Sequence, residues 1–154
     1  MENSAIRAPL YRRKIGHEAG GSNVSIKKDT RRFGVPWEDY PYVQANRVGN
    51  VLYLSGQIAH DEHGEIIGVG DMAAQMRQAY RNIATLLEMY DADFSNIVDE
   101  MTFVTDMDAA LACATEVRTE AYGGDAQVTS TLLKVAGLAF PELLVEIKCI
   151  AHLP

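Results

Sequence analysis

The sequence predicts one α+β domain in which a mixed β-sheet carries two helices packed on one face. Three observations predict it: a hairpin signal near the front of the chain, two segments with the apolar spacing of helices, and short apolar strands after each helix. The chain has 154 residues, enough for one domain, and 47% are hydrophobic while 23% are charged. That composition is typical of a globular protein with a substantial core.

The most specific signal is a β-hairpin over residues 42–58. Two apolar runs, residues 42–48 and 51–58, are joined by Gly49-Asn50, a two-residue turn in which glycine supplies the positive φ. The register then pairs Val48 with Val51, Asn46 with Tyr53, Gln44 with Ser55 and Tyr42 with Gln57. One face of the hairpin is apolar, and the other collects four hydrogen-bonding side chains: Tyr42, Gln44, Ser55 and Gln57. These four either face solvent or line a binding site, and the sequence leaves both open.

The remaining elements follow from periodicity and end signals. Residues 71–90 predict a helix capped by Asp71, with one buried face. That face comprises Met72, Met76, Ala79, Tyr80, Ile83, Leu86, Leu87 and Tyr90. A strand over 97–105, a helix over 108–122 that ends at Gly123-Gly124, and strands over 128–136 and 143–151 complete the order β-β-α-β-α-β-β. One sheet face would stay bare, so we expect oligomerisation.

Residues 1–36 are polar and show no sustained period, so we interpret them as an N-terminal arm, and residues 37–154 as the folded domain. Trp37 is the expected docking point of the arm. Basic residues cluster in this arm, but the net charge of −7 argues against a nucleic-acid binder, and a solvated tail is the simpler interpretation.

The chemistry of the chain as a whole favours a cytoplasmic protein. The N-terminus lacks the apolar stretch of a secretory signal, and no apolar run is long enough to cross a membrane. Two cysteines, Cys113 and Cys149, are expected to be buried thiols in a reducing compartment. His60 and His63 share an acidic loop, but no cysteine partner and no helical histidine spacing supports a metal site, so no metal is predicted.

Four strings resemble the Rid (YjgF) family of reactive-intermediate deaminases. They are PYVQANRVGNVLYLSGQI at 41–58, QMRQAYRNIATLLE at 75–88, FVTDMD at 103–108 and LLVEIKCIA at 143–151. The resemblance covers about three quarters of the chain. It implies a chorismate-mutase-like subunit of the bacterial type and a homotrimer whose sheets close into a central β-barrel. It also implies small-molecule sites in the clefts between subunits, where enamines and imines are hydrolysed without metal or cofactor.

Position by position, the resemblance places catalytic roles on Glu146 and Tyr42. Glu146 matches the family's water-positioning glutamate, and Tyr42 matches its site tyrosine. Ser55 and Gly56 match the serine and glycine of the cleft, and are predicted to bind substrate.

The family's carboxylate-binding arginine is missing. Ser130, or Thr129 with a shift of one residue, stands at its position, and Ala114 or Thr115 stands where the family has a helical asparagine. The segment Leu138 to Pro141 is also one residue longer than usual. Losing a charged bidentate contact weakens carboxylate binding, so the expected substrate is something other than a simple 2-imino acid.

Arg118 is the candidate replacement for that positive charge. It lies on the predicted helix face that also carries Leu111, Ala114 and Tyr122. It either pairs with Glu100 or a neighbouring subunit, or supplies the missing charge at the cleft, where it would bind substrate together with Thr129 and Ser130.

Three functions follow from these residues. The first is an enzyme that hydrolyses or tautomerises an enamine or imine metabolite, with Glu146 as general base or water positioner and Tyr42 and Ser55 as hydrogen-bond partners. The second is a non-catalytic metabolite-binding or regulatory protein on the same scaffold, which the absent arginine favours. The third, an RNA endonuclease, is disfavoured by the acidic charge and the lack of a basic stripe.

Overall fold

The computed structural model describes residues 25–34 and 40–154. Residues 1–24 of the predicted arm and the predicted docking residue Trp37 lie outside the described residues. The strands are β1 (Asp29–Arg31), β2 (Ala45–Val48), β3 (Val51–Leu54), β4 (Ile97–Val104), β5 (Thr129–Lys134) and β6 (Val145–His152). The helices are α1 (Met72–Glu88) and α2 (Met107–Tyr122), with a short 3₁₀ turn at Phe94–Asn96.

The described strands form a six-stranded sheet in the order β1-β2-β3-β6-β4-β5. Neighbours are antiparallel except β4 and β5, which are parallel and are connected through α2. Residues of α1 and α2 share one hydrophobic core with alternate residues of β3, β4 and β6, so both helices cover the same sheet face. The predicted α+β arrangement, a chorismate-mutase-like mixed sheet with two helices on one face, is confirmed.

The hairpin register is confirmed from the turn outward to the Gln44–Ser55 pair. Val48 pairs with Val51 and Asn46 with Tyr53, and Gly49 adopts φ +62° at the turn. The backbone N–H of Ser55 donates to the carbonyl of Gln44 at 2.8 Å. The predicted pair of Tyr42 with Gln57 does not form in the sheet, because Gln57 pairs with Ile147 of β6 instead.

Helix α1 follows the sequence prediction closely. Its N-cap is Asp71, whose carboxylate accepts from the N–H of Ala74 at 3.0 Å. All eight residues of the predicted apolar face are buried. The fully buried Gln75 donates to the carbonyl of Glu142 and accepts from the N–H of Leu144, both at 2.8 Å. This amide therefore fixes the chain where it enters β6, the strand of Glu146.

The segment before the predicted domain boundary contributes an edge strand. β1 pairs with β2 over three residues, and the hydroxyl of Tyr90 donates to the carbonyl of Asp29 at 2.9 Å. The boundary between residues 36 and 37 stays a prediction, but residues 29–31 belong to the sheet.

The sheet face away from the helices carries large exposed side chains. Tyr53 of β3 and Leu133 of β5 are 45% and 41% exposed, respectively. We call this surface the open face, and Glu146 belongs to it because its strand neighbours Val145 and Ile147 are buried on the helix side. β5 also lies at the edge of the sheet, and its outer side pairs with none of the described strands.

Both cysteines are free, as predicted, but only Cys149 is fully buried. Burial raises the pKa of its thiol to about 12. Cys113 is only partly buried, because α2 presents that turn to solvent along one side. Among the described residues, no helix has the length and apolar character needed to span a membrane.

Candidate functional site

A cavity of about 330 Å³ lies where the hairpin end, β6 and the loop before β6 meet. All four side chains of the predicted polar patch line it, and so do Gly56 and Glu146. Gln44 and Gln57 are buried, at 3% and 1% exposure, so the solvent-facing interpretation of the patch does not hold for them. The remaining lining residues are Tyr40, Ile58, His60, Ala139 and Phe140.

Gly56 makes room for the carboxylate of Glu146. A Cβ atom at position 56 would lie 1.8 Å from Oε1 of Glu146 and 2.5 Å from its Cδ, so any side chain there would displace the carboxylate. The chain bulges at this point: the five residues from Tyr53 to Gln57 lie opposite the four residues of β6 from Ile150 to Ile147. The bulge brings the backbone of Gly56 against the side chain of Glu146.

Glu146 is half-buried and makes no hydrogen bond or ion pair with any residue that the structure describes. Burial raises the pKa of its carboxyl group above the ordinary value of 4.5, in the direction expected for a proton-transfer group in a partly dry cleft. Burial also raises the pKa of the Tyr42 hydroxyl, with smaller contributions from Tyr40 and from the charge of Glu146. Tyr42 packs beside Tyr40, with ring centroids 5.6 Å apart.

Gln57 links the cavity wall to the bulge. Its Nε2 donates to the carbonyl of Ser55 at 3.1 Å, to the hydroxyl of Ser55 at 3.2 Å and to the carbonyl of Gly56 at 3.4 Å. Carbonyl oxygens only accept, so these contacts fix which end of the amide is nitrogen. Its Oε1 is buried and has no hydrogen-bond partner among the described residues.

His60 is a cavity residue that sequence reasoning considered only for metal binding. It is 1% exposed, whereas His63 of the same loop is exposed, so the two histidines do not converge. Its Nδ1 lies 2.9 Å from the carbonyl of Asp61, and its ring packs 5.5 Å from that of Phe33. Burial lowers the pKa of His60, which favours the neutral ring. No pattern in the sequence around His60 indicates that its side chain is buried in a cavity wall rather than exposed in a loop.

The two candidates for the arginine position lie on opposite faces of the sheet. Thr129 and Ser130 are adjacent on β5 and pair with Asp99 and Glu100 of β4. Glu100 is fully buried on the helix side, so Ser130 faces the helices and Thr129 faces the open face with Glu146. Thr129 donates a hydrogen bond from its hydroxyl to Asp99 at 2.6 Å. Within one chain, β4 lies between β5 and β6, the strand that carries Glu146.

Arg118 does not reach this cavity. Its guanidinium pairs with Glu100, whose other oxygen accepts from the hydroxyls of Tyr80 at 2.9 Å and Tyr122 at 2.7 Å. Arg118 also donates to the hydroxyl of Ser130 at 3.1 Å. The predicted pairing with Glu100 is confirmed. Within one chain this cluster, which includes Ser130, lies on the helix side of the sheet and Glu146 lies on the open face, so the structure does not bring Arg118 or Ser130 to the cavity. Their contact with substrate stays a prediction.

Comparison with known proteins agrees with the fold and the motifs. Residues 36–153 match the family described as endoribonuclease L-PSP. A solved structure of a YjgF/YER057c/UK114 family member from Mycobacterium tuberculosis is 25% identical, with a TM-score of 0.69 over 82% of this chain and 100% of that chain. RidA from the Antarctic bacterium Psychrobacter is 28% identical, with a TM-score of 0.67 over 74% and 89% of the two chains. A protein of unknown function of the Rid family from Yersinia pestis is 27% identical, with a TM-score of 0.68 over 73% and 88%.

The family match spans more than three quarters of the chain, and the solved relatives superpose on the same sheet and helices. The chain therefore belongs to the endoribonuclease L-PSP family, the group of proteins also named YjgF, UK114 and Rid.

Proposed function

We propose that this protein is a small-molecule enzyme that hydrolyses or tautomerises an enamine or imine metabolite other than a simple 2-imino acid. Glu146 is the catalytic group, and Tyr42, Ser55 and Gly56 form the cavity wall around the substrate. The observation that carries the proposal is the half-buried carboxylate of Glu146 over Gly56, which has no partner among the described residues and lies at the edge of a cavity with a polar wall. A buried structural carboxylate usually has hydrogen-bond partners in the protein, and a carboxylate in a cavity without them is a candidate functional group.

The chemistry needs one group that moves protons. For an imine, Glu146 takes a proton from water as the water oxygen bonds to the imine carbon, and the C=N electron pair moves to nitrogen, which takes that proton back from Glu146. Glu146 then transfers the hydroxyl proton to the same nitrogen as the C–N bond breaks, so ammonia leaves and the carbonyl product remains. A raised pKa makes the Glu146 carboxylate a stronger base and so suits it to accept and return that proton, and in this proposal the Tyr42 hydroxyl, which lines the same cavity, hydrogen-bonds the reacting atoms.

The missing arginine limits the substrate. Thr129 offers a hydroxyl and no charge, and Arg118 is committed to Glu100 on the other side of the sheet. A carboxylate-bearing substrate would lose the bidentate cationic contact that the resemblance implies for deaminases of this family. This supports a substrate outside the simple 2-imino acids.

We also propose that the protein is a cytoplasmic homotrimer with the cavities at its subunit clefts. The open face carries the half-exposed Tyr53 and Leu133, and β5 has an edge that pairs with none of the described strands; a closed barrel of three sheets would cover both. Within one chain Thr129 does not reach the cavity, but Thr129 of a second subunit could lie beside it. The two free thiols favour a reducing compartment.

The test generates imines in situ and follows ammonia and carbonyl product. An amino-acid oxidase supplies 2-imino acids and an amine oxidase supplies imines without a carboxylate. The purified protein should accelerate hydrolysis of at least one imine, and Glu146→Gln should abolish the effect, while Glu88→Gln at the exposed end of α1 should retain it. If the wild type and Glu146→Gln both match buffer across the panel, the enzyme proposal fails.

The alternative is a non-catalytic metabolite-binding or regulatory protein, favoured by the absent arginine. It predicts that some metabolites bind and raise the melting temperature of the protein, that this binding depends on Tyr42 and Glu146, and that none of these metabolites is converted to a product. The family description names an endoribonuclease, but the net charge of −7 and a cavity without Lys or Arg among its described lining residues do not suit RNA. RNA cleavage that stays constant through purification and is lost in Glu146→Gln would contradict that exclusion.

A further inference from the structure

We propose that the cavity beside Glu146 selects ligands that carry N–H groups and no carboxylate, that is, neutral or cationic imines, enamines and their amine analogues. The inference rests on the proposed function for the place where substrate binds, and it adds the charge class of that substrate.

The first support is the charge of the cavity. No Lys or Arg is among the described residues that line it, and the one formal charge at neutral pH is the carboxylate of Glu146. A ligand carboxylate would meet this charge with no cation to offset it, whereas an N–H or N–H⁺ group would gain a charge-assisted hydrogen bond.

The second support is Gln57. Its nitrogen is committed to the Ser55 and Gly56 oxygens, while its buried Oε1 lacks a partner among the described residues. A buried acceptor without a partner is unfavourable, and a ligand N–H would satisfy it. Gln57 and Glu146 both line the cavity and lie on either side of Gly56, so a small shift of the Gln57 amide would let one ligand head meet both acceptors.

The third support is the remainder of the lining, which is aromatic and aliphatic. Tyr40, Ile58 and Phe140 contribute apolar surface, and the volume of about 330 Å³ is large enough for a ring-sized body. The cavity therefore suits an apolar body with an N–H-bearing head.

One cation lies on the same face and provides a competing explanation. Lys148 is two residues from Glu146 on β6, exposed, and not among the residues that line the cavity. If it turned towards a ligand, it would favour carboxylates, so its removal is part of the test. The other titratable groups that face Glu146 are Tyr42, Tyr40 and His60 of the cavity wall.

The test compares three ligands of nearly one shape: benzamidine (cationic), benzamide (neutral, with N–H donors) and benzoate (anionic). Binding to the full chain is measured by calorimetry at pH 7.5. We expect benzamidine and benzamide to bind and benzoate to bind at least about tenfold more weakly, because like charges meet in a partly dry site. Failure of both N–H ligands to bind, or benzoate binding as tight as that of benzamidine, overturns the proposal.

Variants assign the effect to the named residues. Glu146→Gln removes the negative charge and should reduce the preference for benzamidine over benzoate to within about threefold. Gln57→Met removes the amide acceptor and should weaken benzamide binding at least about fivefold. Lys148→Met should leave the order of the three ligands unchanged, and Glu88→Gln is the matched control for a lost surface carboxylate. A ligand order that reverses in Lys148→Met, or stays fixed in Glu146→Gln, contradicts the inference.

The outcomes separate this inference from the proposed function. If the three ligands bind in the expected order but no imine is turned over, the inference on ligand charge is supported and the proposed enzymatic function is rejected. If 2-imino acids are turned over and benzoate binds tightly, the inference on ligand charge is rejected and the proposed enzymatic function is supported.

Discussion

The most direct structural perturbation of the candidate site is Gly56→Ala. The added methyl group would lie 1.8 Å from Oε1 of Glu146, where ordinary contact begins at 3.4 Å. The carboxylate must therefore move by about 1.6 Å, because the three nearest atoms all belong to the Glu146 side chain and not to backbone. The substitution displaces the catalytic group without removing it.

The magnitude follows from that displacement. A misplacement of about 1 Å can cost about 10²-fold in rate, so we expect Gly56→Ala to lower turnover at least about 100-fold. Stability should change little. Gly56 does not adopt positive φ, so alanine is not strained there, and the lower entropy of the unfolded chain contributes about 0.4–1 kcal/mol in favour of folding. We expect the free energy of unfolding to stay within about 1 kcal/mol of wild type.

The assay combines imine hydrolysis with urea denaturation on the same preparations. Gly137→Ala is the matched control, since a Cβ there meets nothing within 4 Å and its φ is not positive. It should match the wild type in both measurements. Wild-type turnover in Gly56→Ala would refute the claim that this glycine holds the carboxylate in place, and loss of folding would refute the claim that only the side chain must move.

Four further outcomes are expected. Arg118→Met leaves the fully buried carboxylate of Glu100 without its cation, so urea denaturation should show a free energy of unfolding lower by about 3–5 kcal/mol, with benzamidine binding unchanged. Lost binding at full stability would instead indicate that Arg118 contacts the ligand. Burial raises the pKa of Glu146, so the folded chain keeps this proton to higher pH than the unfolded chain does. The wild type therefore loses stability relative to Glu146→Gln as the pH rises from below 4.5 through the raised pKa, and the variant should be the more stable at pH 7 and equally stable at pH 3. A less stable variant at pH 7 would show that the carboxylate has a stabilising partner. Gln75→Leu unpairs two backbone groups just before β6 and should cost about 2–3 kcal/mol by denaturation, a neutral result contradicting its role in fixing that strand. Tyr53→Asp places a charge on the open face, so light scattering should give a mass near the chain mass of 17.0 kDa where the wild type gives three times that; a wild-type monomer would contradict the trimer.

Local patterns were enough to predict most of the fold. The Gly49-Asn50 turn fixed the hairpin register because side chains alternate along a strand, and the spacing of apolar residues fixed the buried face of α1. These features depend on residues close in sequence. The polar patch followed from the same register, and all of its members reach one cavity.

The bulge at Gly56 could not be predicted in the same way. It arises because Gln57 exchanges backbone hydrogen bonds with Ile147, about ninety residues away, instead of continuing opposite Tyr42. The same long-range pairing brings Glu146 against Gly56. The place of His60 in the wall also depends on packing against Phe33, which no short-range pattern contains.

The placement of Arg118 needed one observation that the sequence did contain. Tyr80 and Tyr122 lie on the inner sides of their helices, and buried tyrosine hydroxyls require acceptors. Glu100 on the helix side of β4 is the acceptor for both, and its burial then requires the guanidinium. Side chains alternate between the two faces of β4, so once the helix side of the sheet is known, the position of Glu100 shows that Arg118 pairs with it and does not reach the cavity within one chain.

The central claim is that Glu146 is a catalytic carboxylate for an imine or enamine without a strong carboxylate anchor. It is tested most directly by the rate of ammonia release from a carboxylate-free imine generated by an amine oxidase, with wild type and Glu146→Gln compared at equal concentration. The account predicts acceleration by the wild type that falls to the buffer rate in Glu146→Gln. Equal rates for the two proteins, at any pH between 6 and 8, would contradict it.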